Sequence, residues 1–244
     1  MRILAVDTSA PATSIALWED GVFAASLREE HRHPPSDAAF LYLQDLFNET
    51  GWSPADLDAF AVSVGPGSFT GLRVGLGMVK TFAWALSKPV FGYDAVEIAA
   101  LRALDQVEPP SVDQPFVAVV LGLRGTHFSA RYQVVEKGLM RSGDLHYDDD
   151  AAGLCARWGA DSSFFLDQSA AKNETRKVSQ PLSELLAPER LSLLGNAPSP
   201  AEALAAAAAK DLKSGETSDF DAVQPQYLKP FSVGRRAKKP GDLK

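Results

Sequence analysis

One cysteine, Cys155, is all that the 244-residue chain contains. An internal disulfide is thereby excluded, and no His or Asn signature surrounds Cys155 to make it a nucleophile. Histidine is scarce too. His31, His33, His127 and His146 do not fall into a ligand spacing, so no metal site is expected. No stretch reaches the ~20 apolar residues that a membrane span needs, and no membrane association is expected. The phosphate fingerprints are incomplete: Thr70-Gly71-Leu72 stands where a Walker A loop needs Gly-Lys-Ser/Thr, and the third Gly of Gly-x-Gly-x-x-Gly would fall on Thr70. A broad basic surface is also missing. The net charge of −7 argues against tight, independent nucleic-acid binding. Met1-Arg2-Ile3 runs directly into apolar sequence rather than into an export signal, and with the lone thiol this sets a cytoplasmic expectation.

What the chain does have is concentrated in Val62–Gly75. This stretch reads as a buried strand, a turn containing Gly65, Gly67 and Gly71, and then a helix. The glycines allow positive φ or close approach of another group. Ser68 and Thr70 are placed to cap the helix. Local shape leaves two readings open, an anion site at the helix N-terminus or a tight strand-to-helix connection.

Before the turn, Ile3–Val6, Ser14–Trp18 and Val22–Leu27 read as three strands, with Asp20-Gly21 as the hairpin between the last two and Asp7-Thr8-Ser9 at the tip between the first two. A helix is expected from a Pro34-Pro35-Ser36-Asp37 start to a Gly51 stop, with Phe40, Leu43 and Phe47 on one face. The helix near Thr70–Leu86 is apolar almost all round. Leu72, Leu76, Val79, Ala83 and Leu86 form its main stripe, and Arg73 and Lys80 are its only charges. Two adjacent, over-apolar helices predict a joint patch, either covered by the chain itself or offered to a partner. A strand follows at Pro89–Tyr93.

This order of three strands, helix, strand, helix, strand resembles the actin-like ATPase fold (the ASKHA fold) of sugar kinases, acetate kinase and Hsp70, in which the first hairpin tip and a later Gly-rich turn face each other across a nucleotide cleft. The expected class is α/β, with two lobes, each a mixed sheet flanked by helices. More specifically, Ile3–Ser9, the Gly-Pro-Gly-Ser-Phe-Thr-Gly-Leu-Arg run at 65–73 and Pro89-Val90-Phe91-Gly92 resemble the TsaB family of bacterial tRNA-modification proteins. The likeness is strong over residues 1 to about 100 and thinner at Arg124–Phe128 and Pro225–Lys229. It implies a non-catalytic subunit that dimerises with the enzyme TsaD, recruits the ATPase TsaE, and supports threonylcarbamoyl transfer to the adenosine 3′ of the anticodon in tRNA. The implied TsaD contact surface comprises Phe40, Leu43, Phe47, Leu72, Arg73, Leu76, Val79, Lys80 and Ala83, and Asp7, Thr8, Ser9, Gly65, Gly67 and Ser68 would be a vestigial nucleotide site. The His-x-x-x-His metal motif of TsaD would align with Ala95 and Ala99, which cannot ligate a metal. Two family landmarks are altered: Gly122-Leu123-Arg124 replaces Asp-Ala-Arg, and His33-Pro34-Pro35-Ser36 replaces His-Ser-Glu. No cofactor is required on this reading. Weak adenine-nucleotide binding at a subunit junction, and self-pairing through the same helices when the chain is alone, stay open.

Pro109–Pro115 marks a lobe boundary, giving residues 1–108, 109–233 and a basic tail, 234–244. In the second part Phe116–Leu121 and Thr126–Val134 read as paired strands, Ala151–Trp158 and Ala201–Lys213 as helices, and Phe164–Leu166 as a strand; no internal repeat is visible. The tail holds five cations and one carboxylate, which leaves −11 on residues 1–233. Two enzyme readings compete with the subunit reading. One is an active actin-like phosphotransferase using Asp7, Thr8, Ser9 and the Gly65–Gly71 turn around ATP. The other is a Rossmann oxidoreductase with Asp94 as its ribose-binding acid.

Overall fold

The computed structural model describes residues 1–30, 35–106, 110–112, 114–122, 125–136, 138–159, 162–167, 182–195, 197–216 and 219–228. The expected histidine pair His31 and His33, the helix-start Pro34, Leu123 and Arg124, parts of the lobe boundary (Pro109, Asp113) and the tail lie outside them.

The first sheet contains β1 (Arg2–Asp7), β2 (Ala12–Glu19), β3 (Val22–Glu30), β4 (Ala59–Gly65) and β5 (Val90–Asp94), in the order β3-β2-β1-β4-β5. The β1–β2 and β2–β3 pairs are antiparallel, whereas β1–β4 and β4–β5 are parallel. Asp20 and Gly21 take positive φ at the expected hairpin. An antiparallel half-sheet of this kind is foreign to the Rossmann fold, so that reading is withdrawn. Because side chains alternate along a strand, β1 serves two cores. Leu4 and Val6 meet α1 (Pro35–Thr50) and α2 (Phe69–Leu86), while Ile3 and Ala5 face α6 (Pro200–Ser214) on the other side.

The second sheet repeats the plan. Its strands are β6 (Pro115–Leu121), β7 (His127–Val135), β8 (Gly138–Asp148), β9 (Ser163–Asp167) and β10 (Leu191–Leu193), ordered β10-β9-β6-β7-β8. Three antiparallel strands are again followed by two parallel ones, with α4 (Ala151–Trp158) and α5 (Leu182–Leu185) in the crossovers. The repeat that the sequence hides is thus present as topology. This is the two-lobed, actin-like architecture expected. The helix α3 (Ala95–Leu104), β8, α5 and β10 had no counterpart in the sequence reading.

The closing helix of each half packs on the other half. α3 follows the first sheet yet sets Val96, Ala99, Ala100 and Ala103 against Phe116, Ala118, Phe128, Ala130 and Tyr132 of the second. α6 follows the second sheet yet sets Ala201, Leu204, Ala205 and Ala208 against Ala5, Ala16, Ala59 and Ala61 of the first. Alanine on both sides brings helix and strands close. Ser199 starts α6 with a reciprocal cap to Glu202, and Gly215 ends it at positive φ. The sequence assigned residues 200–228 to the second lobe, but α6 and the segment after it lie on the first sheet, where Gln226 N donates to Val64 O at 2.7 Å.

A buried arginine fastens this exchange. Arg102 on α3 is fully buried and donates to Asp167 at the end of β9, to Leu194 O at 2.9 Å and to Pro198 O at 2.6 Å. Replacing Arg102 by Met removes one partner of a buried pair, a change that costs about 3–5 kcal/mol. Chemical denaturation should show that loss, and an unchanged midpoint would mean that the exchange is held by packing alone.

Candidate functional site

The two motifs expected to flank a nucleotide cleft touch each other. Ser68 N donates to Ser9 O at 2.7 Å, and Thr8 Oγ1 donates to Gly71 O at 2.7 Å. Ser68 also caps α2, its hydroxyl accepting from Gly71 N at 3.2 Å; Thr70 lies within the helix and does not cap it. A Cβ on Gly67, Gly71 or Gly75 would overlap Ser9 O, Thr8 O or Thr8 Oγ1. The close approach of α2 to the tip of β1 therefore requires these glycines, and only Gly65 among the turn's glycines uses positive φ. The turn is a tight strand-to-helix connection seated on Thr8 and Ser9. The expectation of tip and turn facing each other across a cleft is corrected accordingly.

Asp7 is buried and accepts from Ser9 N at 2.8 Å. Burial pushes its carboxyl above the usual range, opposed by the Ser9 hydrogen bonds and reinforced by the charge of Asp167. An enclosed carboxyl is poorly placed to hold a solvated magnesium ion. Ala95 and Ala99 are both buried, Ala99 against the second sheet. No group of three or more His, Cys, Asp or Glu residues among the described residues is arranged to hold a metal.

The helix pair behaves differently from its expected inventory. Leu43, Leu72, Leu76, Val79 and Ala83 are buried, the core against Leu4, Val6, Phe60 and Val62 taking up Leu43, Leu76, Val79 and Ala83. Phe47 is partly buried on the same core. Lys80 is spoken for, its ammonium donating to Phe220 O and Val223 O, both at 2.8 Å, over the ring of Phe220. Only Phe40 and Arg73 of the nine named residues are exposed. The main apolar stripe of α2 is therefore its inward face, a correction to its reading as a contact surface. The outward face carries Arg73, Gly77, Thr81 and Trp84, with Trp84 76% exposed, and neighbouring α1 exposes Phe40 (53%) and Leu41 (59%). The signal was available: at 3.6 residues per turn Trp84 falls about 100° round from the Leu72–Leu76–Val79 stripe, on the side of Arg73 and Gly77.

A third cluster joins the lobes. Asp94 caps α3, accepting from Glu97 N at 2.7 Å, and also receives Arg141 of β8 at 2.5 Å. Nearby Tyr93 donates to Asp211 of α6. Glu97 is pushed up to about 7, first by burial, then by the charge of Asp94, with Arg141 opposing and Asp211 adding. Burial of His127 holds its imidazole below its ordinary range.

The sheet order, the antiparallel and parallel pairings and the helix exchange define an actin-like two-lobed protein. The chain belongs to the TsaD family: the model described as "TsaD: tRNA N6-adenosine threonylcarbamoyltransferase" matches residues 36–213. Within that family it is similar to proteins named TsaB, as its motifs led one to expect. It is 33% identical over 142 residues to the tRNA threonylcarbamoyladenosine biosynthesis protein TsaB of Escherichia coli K12, covering 57% of this chain and 58% of that protein. To TsaB of Bacillus subtilis 168 it is 34% identical over 125 residues, 50% of this chain and 55% of that one. The chain thus spans about half the length of the curated relatives it matches. The structure of YeaZ from Pseudomonas aeruginosa superposes with a TM-score of 0.68 at 25% identity, covering 93% of this chain and 99% of that one. No helix among the described residues is long and apolar enough to cross a membrane.

Two measurements test the site. Gly71→Ala drives a methyl group into the backbone of Thr8, and overpacking of this kind costs about 1–3 kcal/mol. Gly77→Ala, whose methyl group meets open space, should instead stabilise α2 by about 0.5–1 kcal/mol. Opposite shifts in melting temperature are expected, and equal shifts would refute the close-approach account. For Glu97 the folded pKa lies above the ordinary 4.5, so the folded state holds the extra proton. Stability should fall as pH rises from about 4.5 to about 7 and level off above. Glu97→Gln should flatten that slope in denaturation curves taken at pH 5 and pH 8, and an unaltered slope would reject the assignment.

Proposed function

We propose that this chain is a catalytically silent subunit that pairs with TsaD through the outer face of α1 and α2. On this reading the pair recruits TsaE and supports threonylcarbamoyl transfer to the adenosine 3′ of the anticodon in tRNA. The observation that carries the proposal is the set of large apolar side chains on adjoining helices, Phe40, Leu41 and Trp84, left outside a core that has no need of them. Large apolar side chains exposed on adjoining helices are a mark of contact sites. Gly77 supports it: a glycine inside a helix costs about 1 kcal/mol relative to alanine. Outside its own helix backbone, nothing among the described residues lies within 4 Å of where its Cβ would sit. A partner backbone crossing at Gly77 gives that cost a purpose.

The family membership and the names of the TsaB relatives support the tRNA threonylcarbamoyladenosine context of this reading. The phosphotransferase alternative requires open backbone N–H groups around phosphate, and the turn that would offer them is seated on Thr8 and Ser9. Mg-ATP calorimetry with a turnover assay tests that alternative directly, and turnover by the chain alone would reinstate it.

Pairing is tested by light scattering on a sizing column with the chain alone and mixed with TsaD from the same organism. A 1:1 complex is expected, and Trp84→Asp should weaken it at least 100-fold while leaving the melting temperature of the chain nearly unchanged, because Trp84 touches solvent. A charged residue in a desolvated contact costs several kcal/mol. No complex at tens of micromolar, or undiminished pairing by Trp84→Asp, would overturn the assignment.

A further inference from the structure

The two ends of α3 are tied to the second half in unlike ways. At its C-terminal end Arg102 is fully buried and donates to three acceptors. At its N-terminal end the tie is Arg141 of β8 on Asp94, at 2.5 Å, and the Arg141 side chain is 41% exposed. Asp94 also holds the first turn of α3, through its 2.7 Å bond from Glu97 N. One carboxylate thus serves both the start of the helix and the junction between the halves.

Charge is unbalanced around that carboxylate. Glu97 lies three residues on from Asp94, on the same side of the helix. The groups facing Glu97 are Asp94 at its own helix start, Arg141 from β8, Asp211 from α6, and the phenols of Tyr93 on β5 and Tyr132 on β7. Glu216 stands near Tyr93, and Lys210 of α6 sits against Gly138 at the start of β8. Three carboxyl groups, Asp94, Glu97 and Asp211, therefore share one guanidinium. The phenols give no help, because burial, first, and the nearby carboxylates push both above their ordinary range. Glu97 is half-buried, so an outward swing of the first turn carries it into water and away from Asp94 and Asp211. Its carboxyl, near 7 in the closed turn, returns toward 4.5 in an open one. A group raised in the closed state favours closure at low pH and withdraws that support as pH climbs toward the raised value.

We propose that the N-terminal turn of α3 is a pH-operated clasp between the halves: with Glu97 neutral it stays shut on Arg141 through Asp94, with Glu97 ionised it opens, and Arg102 holds the far end of the helix as the pivot. The clasp does not depend on pairing with TsaD.

The test is amide hydrogen exchange of the full chain, resolved by residue and corrected for intrinsic rates, in steps from pH 6 to pH 8.5 with and without dilute urea. Exchange at residues 97–99 should rise about tenfold over that range and level off above the Glu97 value of about 7. Urea should leave it unchanged, because a local opening exposes little surface. Ala103, beside the pivot, should exchange only when the whole molecule unfolds and should respond to urea. Glu97→Gln should erase the pH effect and keep the first turn protected throughout. Arg141→Gln should delay the levelling-off to higher pH, since the guanidinium opposes the upward shift of Glu97. A wild-type first turn indifferent to pH overturns the clasp, as does a pH effect that survives in Glu97→Gln. So does first-turn exchange that urea accelerates as strongly as that of Ala103, or a folded Arg141→Gln that levels off no later than wild type.

Discussion

Arg102 is the residue around which the two halves are organised. A guanidinium taken fully out of water is tolerated only when every donor direction finds an acceptor. Here the acceptors are a carboxylate from the end of β9 and two carbonyls from the chain that leads into α6. All of them come from the second half, while the arginine belongs to the helix that closes the first. The bond set is therefore complete only when α3 lies on the second sheet and the 194–198 segment turns back toward the first. Arg141 on Asp94 makes the corresponding tie at the other end of α3. Between these two points the small residues of α3 and α6 fix how close helix and sheet come.

The same economy of space governs the tip of β1 and the glycine turn. Thr8 and Ser9 are hydrogen-bonded to Gly71 and Ser68, and Asp7 is enclosed beneath. The glycines' lack of a side chain admits backbone of this chain rather than a ligand. On the outer surface of α1 and α2, Phe40, Leu41 and Trp84 stand outside the core.

Much of the first half was legible because its signals are local. A short apolar run gave β1, alternation gave β2, Asp20-Gly21 gave the hairpin, and Ser68 gave the start of α2. The direction of α2 was misread for a physical reason. On a helix apolar nearly all round, the most regular stripe, Leu72–Leu76–Val79–Ala83, is the one that the chain's own sheet selects. Trp84 and Gly77 are left outside it. The choice between anion site and tight turn could not be made from Gly65–Gly71 alone, because it depended on Thr8, more than fifty residues upstream. The crossing of α3 and α6 was equally out of reach, since Ala99 and Ala205 read as ordinary helix interiors wherever they dock. β8, exposed along much of its length, and three-residue β10 carry too little apolar pattern to announce themselves.

The reciprocal docking of α3 and α6 has a consequence for the birth of the chain. When α3 has left the ribosome, all five strands of the first sheet are already available to pair. The face made of Ile3, Ala5, Ala16, Ala59 and Ala61 nevertheless has no cover until α6 follows about 110 residues later. At the usual pace of 5–20 residues per second, that apolar face waits roughly 5–20 s. During this interval it is a surface for a chaperone or for another nascent copy, and its low area per alanine side chain keeps the hazard modest.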